Sequence, residues 1–187
     1  MSCPKRALGT AEREVHMKVA IGAFGDEITP DVSVAFPVLE ALGVIYYSPR
    51  FFQLDGETRN VLTLGNDEVG RITGLQAAHG LKVGSLGTAI GKCKLCDVND
   101  GSRNVYEDPE ETMAKMKRAI DLAGIFGTAR IRAFTFYPPA GEDPRKFVSQ
   151  AVDRLAPLVD LCAESSVVYG AEVEANLMGR DAETLLT

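Results

Sequence analysis

The sequence predicts an α/β fold organised around a parallel β-sheet. Three observations carry this prediction. Short β-rich runs alternate with helical stretches from about residue 17 onward. The helical stretches open on capping residues and stop near glycine. Strand starts fall at residues 18, 44, 81, 129 and 167, a spacing of about 37 residues per unit.

The first strand is read over Lys18 to Phe24, and a helix is expected from Thr29, with Pro30 where its missing N–H costs nothing. Val34, Val38 and Leu42 mark its apolar stripe, Pro37 is a kink point, and Gly43 closes it. A second strand over Val44 to Ser48 leads through turn-forming residues to a helix over Asn66 to His79, ended by Gly80. The third strand is Leu81 to Gly87. Asp108-Pro109-Glu110-Glu111 combines a cap, a proline at the first helical position and acids at the positive end of the dipole. Met113, Met116, Ile120 and Ala123 give that helix a buried face, and Gly127 ends it. A fourth strand over Ala129 to Tyr137 precedes a helix opened by Asp143-Pro144, with Val148, Ala151, Val152, Leu155 and Val159 inward and Pro157 as a kink. The fifth strand is Val167 to Glu174, and Asp181 starts another helical pattern.

Two architectures satisfy this order: a flavodoxin-like five-stranded doubly wound sheet, or part of a parallel (β/α)8 barrel. Eight units at this spacing would need roughly 300 residues, so on the barrel reading the chain holds five of eight units. Residues 1–16 are expected to be a disordered extension, and residues 17–187 one barrel-type domain that is C-terminally incomplete.

Composition narrows the function classes. Of 187 residues, 45% are hydrophobic and 25% charged, which excludes a largely disordered chain. A net charge of −6 gives no basic footprint for nucleic acid. No apolar run approaches the roughly 18 residues of a membrane helix, and the leader has no apolar core of a secretory signal. Four cysteines in this context fit a reducing, cytoplasmic setting. With only two histidines, His16 in the leader and His79 at a helix end, serine- or cysteine-histidine catalysis is not expected.

In both architectures the site lies at the carboxyl ends of the strands. Those ends carry Asp26-Glu27, Arg50, Lys92, Arg132 with Tyr137, and Glu172 with Glu174. Lys92 follows Gly91 in a turn at the mouth. Strand alternation places Arg130, Arg132, Phe134 and Phe136 on one face, so Arg132 either pairs with a neighbouring acid such as Glu172 or serves the site. Glu172 and Glu174, two residues apart, share a face; inward carboxylates repel, raising one pKa or recruiting a cation. Cys93 and Cys96 form a CxxC without the further ligands a zinc site needs. Nucleotide-binding glycine fingerprints are absent.

The segments GDEIT (25–29), YYSPRF (46–51), GLKVGSLGTAIGK (80–92), RAFTFYPPAGEDP (132–144) and GAEVEAN (170–176) resemble sugar phosphate isomerase/epimerase proteins of the xylose isomerase-like TIM barrel superfamily. The resemblance implies a divalent-metal (Mn, Mg or Zn) isomerase or epimerase of a small sugar or polyol. By it, Glu172 binds the metal and shuttles the proton, with Glu174 as the alternative ligand. Lys92, Arg132 and Tyr137 hold substrate. The metal ligands that the resemblance places on strands six to eight have no counterpart in this chain. The second-strand Glu common in relatives is replaced around Ser48-Pro49, which leaves activity open. A competing expectation is a non-catalytic module that self-associates through exposed strand edges.

Overall fold

The structure, a computed structural model, describes residues 19–185; the extension expected over residues 1–16 and the start of the first expected strand lie outside them. β1 (Gly22–Phe24) leads through a 3-10 turn over Gly25–Glu27 to α1 (Val32–Ala41). β2 (Tyr46–Ser48) is followed by β3 (Phe51–Leu54), β4 (Glu57–Asn60) and α2 (Asn66–Ala78). The third crossing is split into β5 (Lys82–Val83) and β6 (Leu86–Gly87), and a long connection leads to α3 (Pro109–Phe126). β7 (Arg130–Ala133), α4 (Val148–Glu164), β8 (Val168–Ala171) and α5 (Ala182–Leu185) complete the order.

Strand order decides between the two architectures. β1 pairs with β2 and β2 with β5, while β6 pairs with β7 and β7 with β8, all parallel. β5 and β6 are two halves of one crossing. Gly84 and Gly87 donate to the carbonyls of Tyr47 and Pro49, both at 2.9 Å, and Thr88 donates to Arg132 O at 3.1 Å on the other side. Spatial order therefore follows chain order from first crossing to fifth. A flavodoxin-type sheet reverses direction beside its first strand, so that alternative is excluded, and the sequential parallel arc of a (β/α) barrel stands.

Local chemistry accounts for most boundaries. Asp108 accepts from Glu110 N at 2.9 Å, Pro109 opens α3, and Gly127 at φ +74° closes it. Met116, Ala119, Leu122, Ala123 and Phe126 form its buried face, with Met113 and Ile120 packed partly against the core. In α2, Glu68 Oε2 reaches back to accept from Gly65 N at 2.8 Å, which satisfies a free amide at the helix start.

Several expectations are corrected. α1 begins at Val32, not Thr29, because Asp31 is the cap: its Oδ1 accepts from Ser33 N at 2.9 Å, and Pro30 stands outside the helix. Its buried face is Val32, Ala35, Phe36 and Leu39, while Val34, Val38 and Leu42 are exposed. Both sets recur every three or four residues. Burial of the larger Phe36 ring, packed edge-on to Tyr47 at 5.0 Å between centroids, selects the first set. In α4 the buried residues are Ala151, Leu158 and Cys162, and Val152 and Val159 face outward; a 3-10 turn over Pro144–Phe147 precedes the helix. The fourth strand ends at Ala133 rather than Tyr137, and Phe136 at φ +69° breaks the alternation expected beyond it. The fifth ends at Ala171 rather than Glu174. The β3–β4 hairpin was not expected; its two-residue turn is Asp55-Gly56, with φ of +53° and +83°, the conformation favoured by tight hairpins.

Candidate functional site

The strands run in one direction, so the residues that leave their carboxyl ends share one rim of the sheet. Asp26 and Glu27 follow β1, Arg50 follows β2, and Thr88 to Lys92 follow β6. Arg132 lies within β7, and Glu172 and Glu174 follow β8. The structure brings these groups together as three cations, each facing carboxylate. Arg50 contacts Asp26 at 2.9 Å and Glu27 at 3.3 Å. Arg132 clamps Glu172 with Nε and Nη2, the latter at 3.1 Å, and Lys92 meets Glu174 at 2.8 Å. The expectation that Arg132 pairs with Glu172 is thus met by a two-toothed ion pair.

Aromatic rings separate the cations. The Phe24 ring lies 4.4 Å from the Arg50 guanidinium and 5.4 Å from that of Arg132. The Phe134 ring lies 4.5 Å from Arg132 and 4.7 Å from the Lys92 ammonium. Each ring presents its negative face to positive charge. Arg132 is pinned further by Thr88: Nη1 donates to Thr88 O at 3.3 Å, and Thr88 Oγ1 donates to Arg132 O at 2.7 Å. A pocket of about 150 Å³ opens among Arg50, Asn60, Thr88, Lys92, Arg132 and Phe134.

The position of Lys92 depends on Gly91. At φ +77° this residue lies so close to β7 that an added Cβ would stand 2.2 Å from Phe134 O. The approach lets Phe134 and Phe136 donate to Ile90 O and Gly91 O, both at 2.8 Å.

Electrostatically the carboxylates are compensated rather than mutually repelled. The Arg132 hydrogen bond holds the Glu172 pKa below its ordinary 4.5 against the opposing effect of burial, with the charges of Arg132, Lys92 and Arg50 acting in the same direction. Of the four rim acids Asp26 is the most enclosed, with 9% of its side chain exposed, and its Oδ1 has no hydrogen-bond partner among the described residues. Asp26, Glu172 and Glu174 match the three cations, and the exposed Glu27 is a fourth acid.

Tyr137 is placed elsewhere. It lines a cleft of about 510 Å³ with Ser102, Asn104, Asn176 and Arg180, and its backbone bonds to Cys93 O and Leu95 N at 2.9 Å. Asp100, on the connection after β6, accepts from Ala140 N at 2.9 Å on the connection that carries Tyr137, and Lys94 meets Asp100 at 2.7 Å and holds its carboxyl well below the usual range. Cys93 is buried in the core, and burial pushes its thiol up to about 11; Cys96 is half-buried beside Gln150.

The donor set does not fit a resident divalent cation. Such an ion wants several oxygen or nitrogen donors. Here Glu172 and Glu174 each already face a protein cation, with Arg50 close by. Among the described residues, no group of three or more His, Cys, Asp and Glu is placed to hold a metal.

Sequence reasoning expected Arg50, Lys92, Glu172 and Glu174 at the strand ends and Arg132 within its strand, and the structure places them on that one rim. It missed Phe24 as a separator of charges and Asn60 and Thr88 as pocket walls. The only available signal was an aromatic at the end of the first strand.

No family model matches the sequence, and no curated protein matches it. Among solved structures, the chain is similar to barrel proteins. A xylose isomerase-like TIM barrel protein from Mycobacterium smegmatis, in complex with magnesium, superposes with a TM-score of 0.59 at 16% identity, over 81% of this chain and 49% of that one. The probable 3-DHS dehydratase AsbF of Bacillus anthracis gives 0.58 at 14%, over 82% and 51%. A D-tagatose 3-epimerase-like protein gives 0.59 at 11%, over 90% and 59%. The fold is therefore that of a parallel (β/α) barrel. The chain spans about half the length of the structures it matches.

Proposed function

We propose that this chain carries part of a sugar isomerase or epimerase site, acting by proton transfer at the carbon beside a carbonyl on a small sugar or polyol. The observation that carries the reading is the pocket at the strand ends, where Arg50, Lys92 and Arg132 line the wall and two of them hold Glu172 and Glu174. Likeness to a D-tagatose 3-epimerase-like protein and to a sugar phosphate isomerase/epimerase from Parabacteroides distasonis supports the reaction class.

In this reading Lys92 and Arg132 donate to substrate oxygens and polarise the carbonyl. Glu172 is the proton acceptor, with Glu174 as the alternative. A carboxylate held at low pKa is ionised but weakly basic. Substrate that draws the Arg132 hydrogen bonds to itself returns Glu172 toward its ordinary basicity, so binding and activation are coupled. In metal-dependent enzymes of this type a divalent ion polarises the carbonyl; the described residues do not fit one, and no step here uses it.

The test is exchange of the carbon-bound proton of a ketose into deuterated water, followed by NMR. Exchange should occur with the intact protein and fall about 100-fold or more in Glu172→Gln, the usual scale of a lost acid–base group. Exchange unchanged by that substitution would remove Glu172 from the role.

A second reading, self-association, is favoured by a separate observation. Large exposed apolar side chains occur on the first and last units, Val19, Ile21, Val34, Val38 and Leu42 on one and Val152, Val159 and Val168 on the other, as they do between them at Ile45, Val105 and Ile125. Among the described residues, β1 and β8 each pair along one edge alone.

A further inference from the structure

We propose that the strand-end pocket is an oxyanion subsite, in which Arg50, Lys92 and Arg132 hold the phosphate or carboxylate group of a small ligand. The proposal concerns the pocket of the sugar-directed reading above and rests on that reading for the remainder of the ligand. It adds the charged group by which the ligand is held.

The wall of the pocket carries one sign of charge. Arg50, Lys92 and Arg132 line it together with Asn60 and Thr88, and the other lining residues are Phe51, Ala89 and Phe134. No carboxylate of the described residues lines it. Asp26, the acid paired with Arg50, lines instead a separate small cavity beside α1, with Val32 and Phe36. A cleft with charge of one sign against low-dielectric walls concentrates the opposite ion.

The ion pairs leave donors over. An ammonium group has three N–H donors, and Glu174 is the carboxylate that Lys92 meets. Arg50 reaches Asp26 and Glu27 through Nε and Nη2, which leaves Nη1. Asn60 Oδ1 accepts from Leu62 N at 3.0 Å, and its NH2 group remains to donate. The carboxylates therefore fix the cations without exhausting them, and a group made of acceptor oxygens complements what remains.

The cations also act together. Phe24 is shared by Arg50 and Arg132, and Phe134 by Arg132 and Lys92. Neighbours that share a ring stand within about one Debye length, roughly 10 Å at 0.1 M salt, so one ligand feels all three. The phosphate site frequent in (β/α)8 barrels is built after the seventh and eighth strands. Here the cations come from the second, third and fourth crossings, so this is a different place in the fold. A cavity of about 150 Å³ is the scale that admits benzene, and it takes a phosphate or a small carboxylate whole.

The experiment is calorimetric titration with sodium phosphate, sodium glycolate and glycerol, at an ionic strength held constant with NaCl. Saturable binding of phosphate or glycolate is expected, weakening as NaCl is raised, with glycerol bound about tenfold or more weakly. The anion that binds more tightly identifies the group as phosphate or carboxylate. Arg50→Gln and Lys92→Gln should each weaken that anion by about tenfold, the scale of a lost hydrogen bond to a charged group. Far-UV circular dichroism checks that both variants are folded, and in the unaltered protein the same anion should shift the NMR resonance of the Lys92 ammonium. Saturation by neither anion, glycerol bound as tightly, or affinities unchanged in both variants overturns the inference. Its failure is separable from that of the sugar-directed reading. Anion binding with proton exchange indifferent to Glu172→Gln supports the subsite and removes Glu172 from its role, and the opposite pair of results removes the subsite alone.

Discussion

Gly91 sets where the Lys92 charge can stand, because no other residue allows the backbone to come so near Phe134 O. Gly91→Ala combines an unfavourable positive φ with a backbone clash, and a loss of about 2 kcal/mol or more in urea unfolding is expected. A change below about 0.5 kcal/mol would mean the segment moves aside without cost. Arg132 and Glu172 carry the second residue-scale prediction. The Glu172 pKa is lowered in the folded chain, chiefly by the Arg132 hydrogen bond. Its contribution to stability is therefore present above the ordinary 4.5 and is lost as pH falls through the folded value. Because the carboxylate is over one third exposed, that contribution is under about 1 kcal/mol. Carbon-detected NMR titration should place Glu172 below the ordinary value in the intact protein and move it upward in Arg132→Gln; an unmoved titration would show that the ion pair does not persist in solution. These strand-end charges were legible because a parallel sheet collects its carboxyl ends on one side. Their partners were not: pairing Lys92 with Glu174, and Phe24 with two guanidinium groups, depends on how neighbouring strands are staggered, which one strand's residues do not specify.

At the scale of elements, capping chemistry is the most readable signal. Asp108 and Pro109 start α3 where the sequence places that start, and Asp108→Ala should cost about 1 kcal/mol by freeing the Glu110 amide. Helix faces are less readable when apolar residues surround the helix. In α1, Val34, Val38 and Leu42 satisfy the same periodicity as Val32, Ala35, Phe36 and Leu39, and only packing against Tyr47 and His79 chooses between them. The choice is open to direct test. Phe36→Ala should cost about 3–5 kcal/mol as a large buried ring is lost, whereas Val38→Ser should stay within about 0.5 kcal/mol. The reverse order in denaturant unfolding would restore the other face. The hairpin after β2 shows a different limit. Asp55-Gly56 is a strong turn signal, but the flanking strands are four residues each, and only their mutual pairing turns a loop-like stretch into a ladder.

At the scale of the whole described arc, sequential parallel order gives two unlike edges. In the described arc, β1 offers one free edge and β8 the other, and each end unit exposes apolar residues beside its edge. The alternating α/β repeat was legible because spacing and alternation persist over five units, but that pattern fits a doubly wound sheet equally well and only strand order selects the barrel arc; the exposed apolar residues were misread as core because periodicity cannot say what covers a face. Two pairings could cover them. A contact of β8 with the β1 of a second copy keeps strands parallel but is head-to-tail, so it runs on unless it closes into a ring; a contact of β1 with β1 across a two-fold axis closes at a dimer. Val19 and Ile21, 77% and 72% exposed, make the β1 side the more apolar of the two edges. The expectation is a dimer that forms through β1 and dissociates on dilution. Light scattering after size exclusion should show mass falling toward the monomer as loading decreases, and Ile21→Lys, a charge at the exposed residue just before β1, should give monomer throughout. Val168→Lys should leave the dimer intact, since β8 takes no part in it. Loss of association in Val168→Lys would instead identify the head-to-tail contact, and a monomer at every concentration would remove self-association as a property of these edges.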